Sequence, residues 1–229
     1  MQAIATELNQ TETAFAWAIS DGKFAIRWFT PTREEDLCGH ATLAAAHVLW
    51  ETGVLSSELV ARFESRSGVL VARRAHGRVE LDFPAERGVA AEPPQELLSA
   101  IGCRCVGYLR SRLDHLLLVE DEEVVRTASP DFGALITIPG RGVIVTAASN
   151  TNQADFVSRF FSPKDGIAED PVTGSAHCTL GPFWADKLGR TELIGQQLSA
   201  RGGLVRVRVA ADRVFLSGDA VTVLRGYWA

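Results

Sequence analysis

Two stretches of the sequence decide the fold: Cys-Gly-His-Ala-Thr-Leu-Ala at residues 38–44 and Asp-Pro-Val-Thr-Gly-Ser-Ala-His-Cys at residues 170–178. Superposed on their glycines, they read Gly-His-Ala-Thr and Gly-Ser-Ala-His, at an offset of 135 positions (174 − 39). The same offset aligns six downstream positions with similar residues: Arg66, Gly68, Leu70, Arg78, Val79 and Leu81 align with Arg201, Gly203, Val205, Arg213, Val214 and Leu216. Self-similarity at one long period indicates a duplicated unit. We therefore predict two similar halves, residues 1–100 and 101–229.

Each stretch ends a polar loop and opens an apolar run, at residues 41–50 and 176–185. Both runs predict helices. The first is apolar nearly all round, which is typical of a helix buried at the centre of its own half. The second contains Gly181 and Pro182, and a proline inside a helix removes a backbone donor, so we expect a kink there.

A helix start presents free backbone N–H groups and the positive end of the helix dipole, which together favour anions. Two such starts, related by an approximate twofold axis, could face one another across a cleft and hold one small acidic substrate between the halves. The alternative is that Gly39 and Gly174 only begin helices, with Asp170 as an N-cap before Pro171. The residues alone leave both interpretations open.

The composition is that of an ordinary globular protein, with 46% apolar residues, 22% charged residues and a net charge of −5. Basic residues are dispersed among acidic ones, so we expect no nucleic-acid partner. No apolar run approaches the length of about eighteen residues that spans a bilayer, and the start does not resemble a signal peptide. We therefore expect a cytoplasmic protein with no membrane partner. The four cysteines form no disulfide framework, and Cys103 and Cys105 are not expected to bind metal.

The remaining pattern mixes strands with short helices and predicts the α+β class. Predicted helices, besides the central two, cover residues 1–9, 95–101 and 122–127. A long loop is predicted over residues 150–169. Strands are predicted over residues 13–18, 23–30, 59–65, 69–75, 78–83, 116–120, 142–148, 197–199, 204–210, 213–217 and 220–224.

These motifs, together with Thr-Glu-Thr-Ala-Phe at residues 11–15, Leu-Asp-Phe-Pro at 81–84 and Arg-Gly-Gly at 201–203, resemble the PhzF-like phenazine-biosynthesis isomerase family. The resemblance implies the diaminopimelate epimerase fold, with two pseudo-twofold-related halves, each a curled mixed sheet around a central helix. It also implies a cofactor-independent isomerase, a homodimer, that moves a proton on a small cyclic carboxylate such as a dihydro-hydroxyanthranilate.

The resemblance assigns roles to particular residues. It assigns Glu12 as the catalytic base. Without the resemblance, the simpler interpretation of Glu12 is an exposed glutamate. His40 helps to hold or polarise the substrate, and its place at a helix start favours a neutral imidazole. Asp170 binds the substrate or tunes the protonation of Glu12. Substrate-carboxylate contacts are assigned to Gly174 and Ser175, and to Gly39 as the repeat partner of Gly174. No metal site and no nucleotide-binding motif is expected.

The resemblance also leaves alternatives. At the repeat offset, residues 106–135 have no counterpart in the first half, which predicts that about thirty residues usual at the start of the family are missing. A shortened protein of this kind could be a non-catalytic protein that binds small anions. A third possibility, an amino-acid epimerase or racemase, requires two thiols. Cys38 matches the first of them, but Cys178 lies a turn too late, so we interpret Cys38 as a small buried apolar residue.

Overall fold

The computed structural model describes residues 1–227, which divide into two compact units. Unit 1 comprises Met1–Asp82 and the segment that follows Leu216, and unit 2 comprises Phe83–Leu216. This division differs from the predicted one at residue 100, because the end of the chain packs with its beginning. In residues 1–227, no helix combines the length and the apolar character needed to cross a bilayer.

Unit 1 is a mixed sheet with two helices. In chain order its elements are α1 (Gln2–Leu8), β1 (Thr13–Ser20), β2 (Lys23–Phe29), β3 (Glu34–Glu35), α2 (Gly39–Glu51), β4 (Ala61–Ser65), β5 (Gly68–Ala75) and β6 (Arg78–Pro84, which ends in unit 2). The strand order is β1-β2-β4-β5-β6, with β3 beside β2. β2 and β4 run parallel, whereas β1–β2, β4–β5 and β5–β6 are antiparallel.

Unit 2 repeats this plan and adds to it. Its elements are β7 (Val89–Ala90), α3 (Gln95–Ile101), β8 (Cys105–Arg110), β9 (His115–Val119), α4 (Glu122–Thr127), α5 (Phe132–Thr137), β10 (Val143–Ala148), β11 (Phe156–Phe161), a 3-10 turn (Pro163–Asp165), α6 (Gly174–Leu188), β12 (Glu192–Gln197), β13 (Gly203–Ala210) and β14 (Arg213–Gly218, which ends in unit 1). The strand order is β14-β13-β12-β11-β10-β9-β8-β7.

The two units show the predicted duplication in their topology. β10, β11, β12 and β13 repeat β1, β2, β4 and β5, and the parallel pair β2–β4 of unit 1 corresponds to the parallel pair β11–β12 of unit 2. β9, which belongs to the added part of unit 2, also runs parallel to β10. α6 begins 135 positions after α2, and β13 begins 135 positions after β5. The predicted extra stretch at residues 106–135 supplies β8, β9 and α4, together with most of α5. The predicted α+β fold with a large mixed sheet is therefore confirmed.

The two central helices differ in burial. In α6, nine of fifteen residues are buried, and Gly181 is required because a Cβ there would lie 2.7 Å from Val207 Cγ1. Along α2, only Ala41, Thr42, Ala46 and Trp50 are buried, and Val48 is 45% exposed. The prediction that α2 is buried all round is therefore wrong. The apolar residues of α2 are mostly alanines. Alanine is the best helix former and its side chain is small, so it is tolerated both on the buried face and on the exposed face of the helix.

Pro182 lies inside a helix that continues from Gly174 to Leu188. A proline has no N–H to donate to the carbonyl four residues earlier. That carbonyl, on Cys178, accepts instead from the backbone N–H of Glu86 at 2.9 Å. The chain after β6 therefore replaces the missing helical hydrogen bond.

Three other predictions about strands are wrong. The predicted loop at residues 150–169 contains β11, a strand buried on both faces between β10 and β12. The strand predicted at 197–199 is β12, which ends at Gln197. The strand predicted at 220–224 does not form within the described residues, where Val221 and Val223 are 80% and 90% exposed.

Candidate active site

Glu12 lies immediately before β1, at the point where the chain enters the sheet of unit 1. Its side chain is 10% exposed, so it is not the exposed surface glutamate of the alternative interpretation. β1 pairs with β2 from Thr13 onward, with Thr13 opposite Phe29, which fixes the backbone next to the carboxylate. The strand therefore holds Glu12 in one place in the unit.

Cys38 and His40 are placed by the start of α2. Cys38 is the N-cap residue, in an extended conformation (φ −140°, ψ 112°), and the hydroxyl of Thr42 donates to its carbonyl oxygen at 2.5 Å. His40 is the second residue of the helix. Because the N-cap residue and the second helical residue flank the free N–H groups of the first turn, both side chains lie at the helix start.

Three titratable side chains of unit 1 come together here. His40 Nε2 lies 3.0 Å from Glu12 Oε2, and Cys38 Sγ lies 3.8 Å from Nδ1 and 3.9 Å from Nε2 of the same ring. We call Glu12, Cys38 and His40 the Glu12 cluster. The distance between Nε2 and Oε2 permits strong charge coupling, although within residues 1–227 Oε2 has no hydrogen bond of good geometry. The carboxylate oxygen is therefore buried without a full partner.

The electrostatics of the cluster favour a charged His40. Burial lowers the pKa of His40, but the acidic neighbours Cys38 and Glu12 raise it by more, so that this pKa stands well above its usual value. Burial raises the pKa of the Cys38 thiol, and the nearby imidazole only partly opposes this. This raised pKa argues against the predicted neutral imidazole, because the Glu12 carboxylate lies 3.0 Å from Nε2 and stabilises the charged ring.

Asp170 occupies a separate hydrogen-bonded turn in unit 2. Its Oδ2 accepts from the hydroxyl of Thr173 at 2.6 Å, and its carbonyl oxygen accepts from Nε2 of Gln197 at 2.6 Å. Gln197 also accepts from the Thr173 N–H, at 2.8 Å, so its buried amide holds the turn before α6. The other carboxylate oxygen, Oδ1, is buried and has no hydrogen-bond partner among residues 1–227.

The structure rejects Asp170 as an N-cap. α6 begins at Gly174, its N-cap is Thr173, and no side chain caps it. Asp170 lies three residues before that cap. Its buried, half-satisfied carboxylate therefore needs a different explanation from helix capping, because an unpartnered buried oxygen costs free energy.

Gly39, Gly174 and Ser175 stand where the sequence placed them, in the first turns of α2 and α6. All three are partly exposed. Their N–H groups belong to the first turn of a helix, where no intrahelical acceptor is available. Their role as substrate contacts, and the cleft, stay predictions.

The sequence did not predict the contact between Cys38 and His40. Cys38 is buried, as predicted, but it contacts His40 and belongs to a cluster of titratable groups instead of an apolar core. A cysteine at the N-cap, two residues before a histidine in the first helical turn, was the available signal. Cys178 shows the contrast. It lies inside α6, where burial raises the pKa of its thiol to about 12. It is also not the repeat partner of Cys38, since Thr173 occupies the position 135 residues after Cys38.

Comparisons with known proteins agree with this architecture. A family model described as phenazine biosynthesis-like protein, PhzC-PhzF, matches residues 1–226. An uncharacterized isomerase of Pseudomonas aeruginosa is 51% identical over 227 residues, which cover 99% of this chain and 85% of that protein. The crystal structure of a putative phenazine biosynthesis PhzC/PhzF protein from Clostridium difficile matches with a TM-score of 0.90 and 38% identity, over 100% of this chain and 86% of that one.

A more distant structure shows the wider fold group. A predicted epimerase from Pseudomonas aeruginosa matches with a TM-score of 0.69 and 22% identity, over 95% of this chain and 84% of that chain. At this identity the likeness concerns the fold alone. The chain therefore shares its architecture with an epimerase-type protein, in agreement with the predicted fold.

Proposed function

Because the chain belongs to the PhzC-PhzF family of phenazine biosynthesis-like proteins, we propose that it is an isomerase that moves a proton between two carbons of a small cyclic carboxylate. A dihydro-hydroxyanthranilate is the type of substrate that the resemblance implies. The observation that carries the proposal is the Glu12 cluster, in which a nearly buried carboxylate lies 3.0 Å from an imidazole at a helix start.

The proposed chemistry assigns one task to each group. Glu12 takes a proton from a ring carbon and, as the acid so formed, returns a proton to another carbon. His40, favoured in its charged form, donates a hydrogen bond to the oxygen on which negative charge develops. The double bond moves as the proton moves, so no electrons leave the substrate. The reaction therefore requires no redox cofactor.

The thiol arrangement favours this chemistry over a racemase that uses two cysteines. Such a mechanism needs a thiol from each half to remove and to return a proton. Thr173 occupies the place that repeats Cys38, and the thiol of Cys178 is buried inside α6. One carboxylate that acts first as base and then as acid needs no second thiol.

We assign the contacts with the rest of the substrate to Asp170, Gly39, Gly174 and Ser175. The first-turn N–H groups and the Ser175 hydroxyl offer hydrogen bonds to the substrate carboxylate, as anion binding at a helix start requires. The buried Oδ1 of Asp170 is an acceptor that is available to a substrate hydroxyl or amine. Cytoplasmic location and a homodimer are proposed on the resemblance alone.

Deuterium wash-in from solvent tests the proposal. Cyclic carboxylates with an acidic C–H, beginning with a dihydro-hydroxyanthranilate, are incubated with the protein in D₂O and followed by NMR. We expect exchange that falls by at least about 100-fold in Glu12→Gln. The matched control is Glu7→Gln, which changes an exposed glutamate of α1 and should leave the rate unchanged.

Two outcomes contradict the proposal. Exchange that survives Glu12→Gln removes Glu12 as the proton carrier. If the parent and both variants bind the carboxylate but none of them exchanges deuterium, the result supports a non-catalytic anion-binding protein instead. Thermal unfolding of each variant shows whether a lost rate reflects chemistry or a lost fold.

A further inference from the structure

The Glu12 cluster combines three different metal-ligand types within unit 1. A carboxylate oxygen of Glu12, the thiol of Cys38 and an imidazole nitrogen of His40 all lie within 4.8 Å of one another. We propose that these three side chains bind one Zn²⁺ ion, with the fourth coordination position open to water or to a small anion.

The spacing of the three atoms suits one ion. In a tetrahedral zinc site the ligand atoms lie about 3.3–3.6 Å apart, since each is about 2.0–2.3 Å from the metal. Here Nε2 and Oε2 are 3.0 Å apart, and Sγ and Nε2 are 3.9 Å apart. These two separations differ from the ideal by a few tenths of an ångström, and the third, between Sγ and the Glu12 carboxylate, is within 4.8 Å. Small rotations of the Glu12 and His40 side chains would bring the three atoms to the spacing of one site.

The donor set selects the class of metal. Mg²⁺ and Ca²⁺ prefer sites made of oxygen ligands, whereas a thiolate with an imidazole favours Zn²⁺ and similar ions. As the metal binds, the Cys38 thiol releases its proton to water, and the charged His40 ring releases one proton to water so that a free ring nitrogen can bind the ion. Glu12 contributes a carboxylate lone pair. Nothing is oxidised or reduced in this step.

Two features of the surroundings support a ligand at this place. Within the described residues, the buried Thr13 Oγ1 has no hydrogen-bond partner, and the neighbouring Glu12 Oε2 has the His40 ring at 3.0 Å but no hydrogen bond of good geometry, so a bound ion would satisfy an otherwise costly arrangement. The ligands also stand on regular elements, since Glu12 adjoins β1 and the other two begin α2. A site on such elements loses little conformational freedom when it binds an ion.

Metal binding has a consequence for the proposed function. A Glu12 carboxylate bound to Zn²⁺ is not available to take a proton from carbon, and a coordinated His40 is no longer a cation. Zn²⁺ should therefore block the proposed isomerase reversibly. This consequence rests on the proposed function, whereas the binding itself does not.

Binding is measured without substrate, by calorimetry with Zn²⁺ and by the visible absorption of Co²⁺ as a spectroscopic substitute. The chain used carries Cys103→Ser and Cys105→Ser, because this pair of partly exposed thiols is a second possible metal ligand. We expect one ion per chain and a sulfur-to-cobalt charge-transfer band. Cys38→Ser in the same background should abolish the band and weaken Zn²⁺ binding roughly 100-fold. Mg²⁺ should not compete.

Cys178→Ser is the matched control, because it removes another buried thiol at a place where the described residues offer no such cluster. This variant should bind as the parent does. Circular dichroism and a second ligand variant, His40→Asn, separate loss of the site from loss of the fold. Zn²⁺ binding that is absent in the parent, or unchanged by both Cys38→Ser and His40→Asn, overturns the inference. Failure of the deuterium exchange assay has no bearing on it.

Discussion

His177 gives a prediction about stability that can be worked out in detail. Its ring is fully buried in unit 2, where Nδ1 lies 2.8 Å from the carbonyl oxygen of Thr173. In the part of the chain that the structure describes, Nε2 has no hydrogen-bond partner. The ring of Phe156 lies against it, with 5.9 Å between the centroids. Burial lowers the pKa of His177 from 6.5 to about 4, and the Thr173 carbonyl and Asp170 only partly oppose this. The folded protein therefore keeps this imidazole neutral.

The sign of the effect follows from linkage. Above pH 6.5 His177 is neutral in both states, so its contribution to stability is complete. Below pH 6.5 the unfolded chain takes up a proton that the folded chain refuses, and stability is lost as the pH falls toward about 4. Between pH 7.5 and pH 5 this one group should lower the free energy of unfolding by about 2 kcal/mol.

Urea denaturation at pH 7.5 and pH 5 measures this loss in the parent, in His177→Asn and in His76→Asn. The asparagine at 177 can still donate a hydrogen bond to Thr173 but does not titrate. Between pH 7.5 and pH 5, the free energy of unfolding of His177→Asn should therefore fall by about 2 kcal/mol less than that of the parent. His76 is exposed in a turn with φ of 52°, a conformation that asparagine tolerates, so His76→Asn should keep the parental pH dependence. Equal pH dependence in the parent and in His177→Asn would refute the reasoning.

Two further predictions concern packing and charge in unit 2. Gly195→Ala would place a Cβ 2.5 Å from Phe156 Cζ, so we expect a loss of about 1–3 kcal/mol in urea denaturation. Gly107→Ala, where the nearest atoms lie at an ordinary 3.5 Å, should change stability by less than about 0.5 kcal/mol, and equal effects of the two would contradict this account. Asp114→Asn removes the carboxylate that accepts from Arg141 Nε at 2.9 Å and leaves a largely buried cation without its main ion-pair partner, so unfolding should become easier by about 3 kcal/mol. A change below about 1 kcal/mol would show that solvent reaches the pair.

Several features of the fold could be predicted because they are written in contiguous residues. The starts of α2 and α6, the bounds of α3 and α4, and the turn at His76 and Gly77 follow from glycines and apolar periodicity. β11 could not be predicted in this way. It is buried on both faces between two other strands, so it lacks the alternation that marks a half-exposed strand, and polar residues flank it.

The sequence by itself determined the duplication, the two helix starts and the identity of Glu12, His40 and Asp170 as candidate residues, because repeats and motifs are local patterns. Only the tertiary structure decided that Cys38 joins Glu12 and His40, which β1 and α2 bring together from distant parts of the sequence. It also decided that residues 220–224 form no strand, although they alternate like one. Both outcomes depend on residues elsewhere in the chain. A side chain is buried, and a strand pairs, only when a second surface lies against it, and a local sequence pattern describes only the first surface.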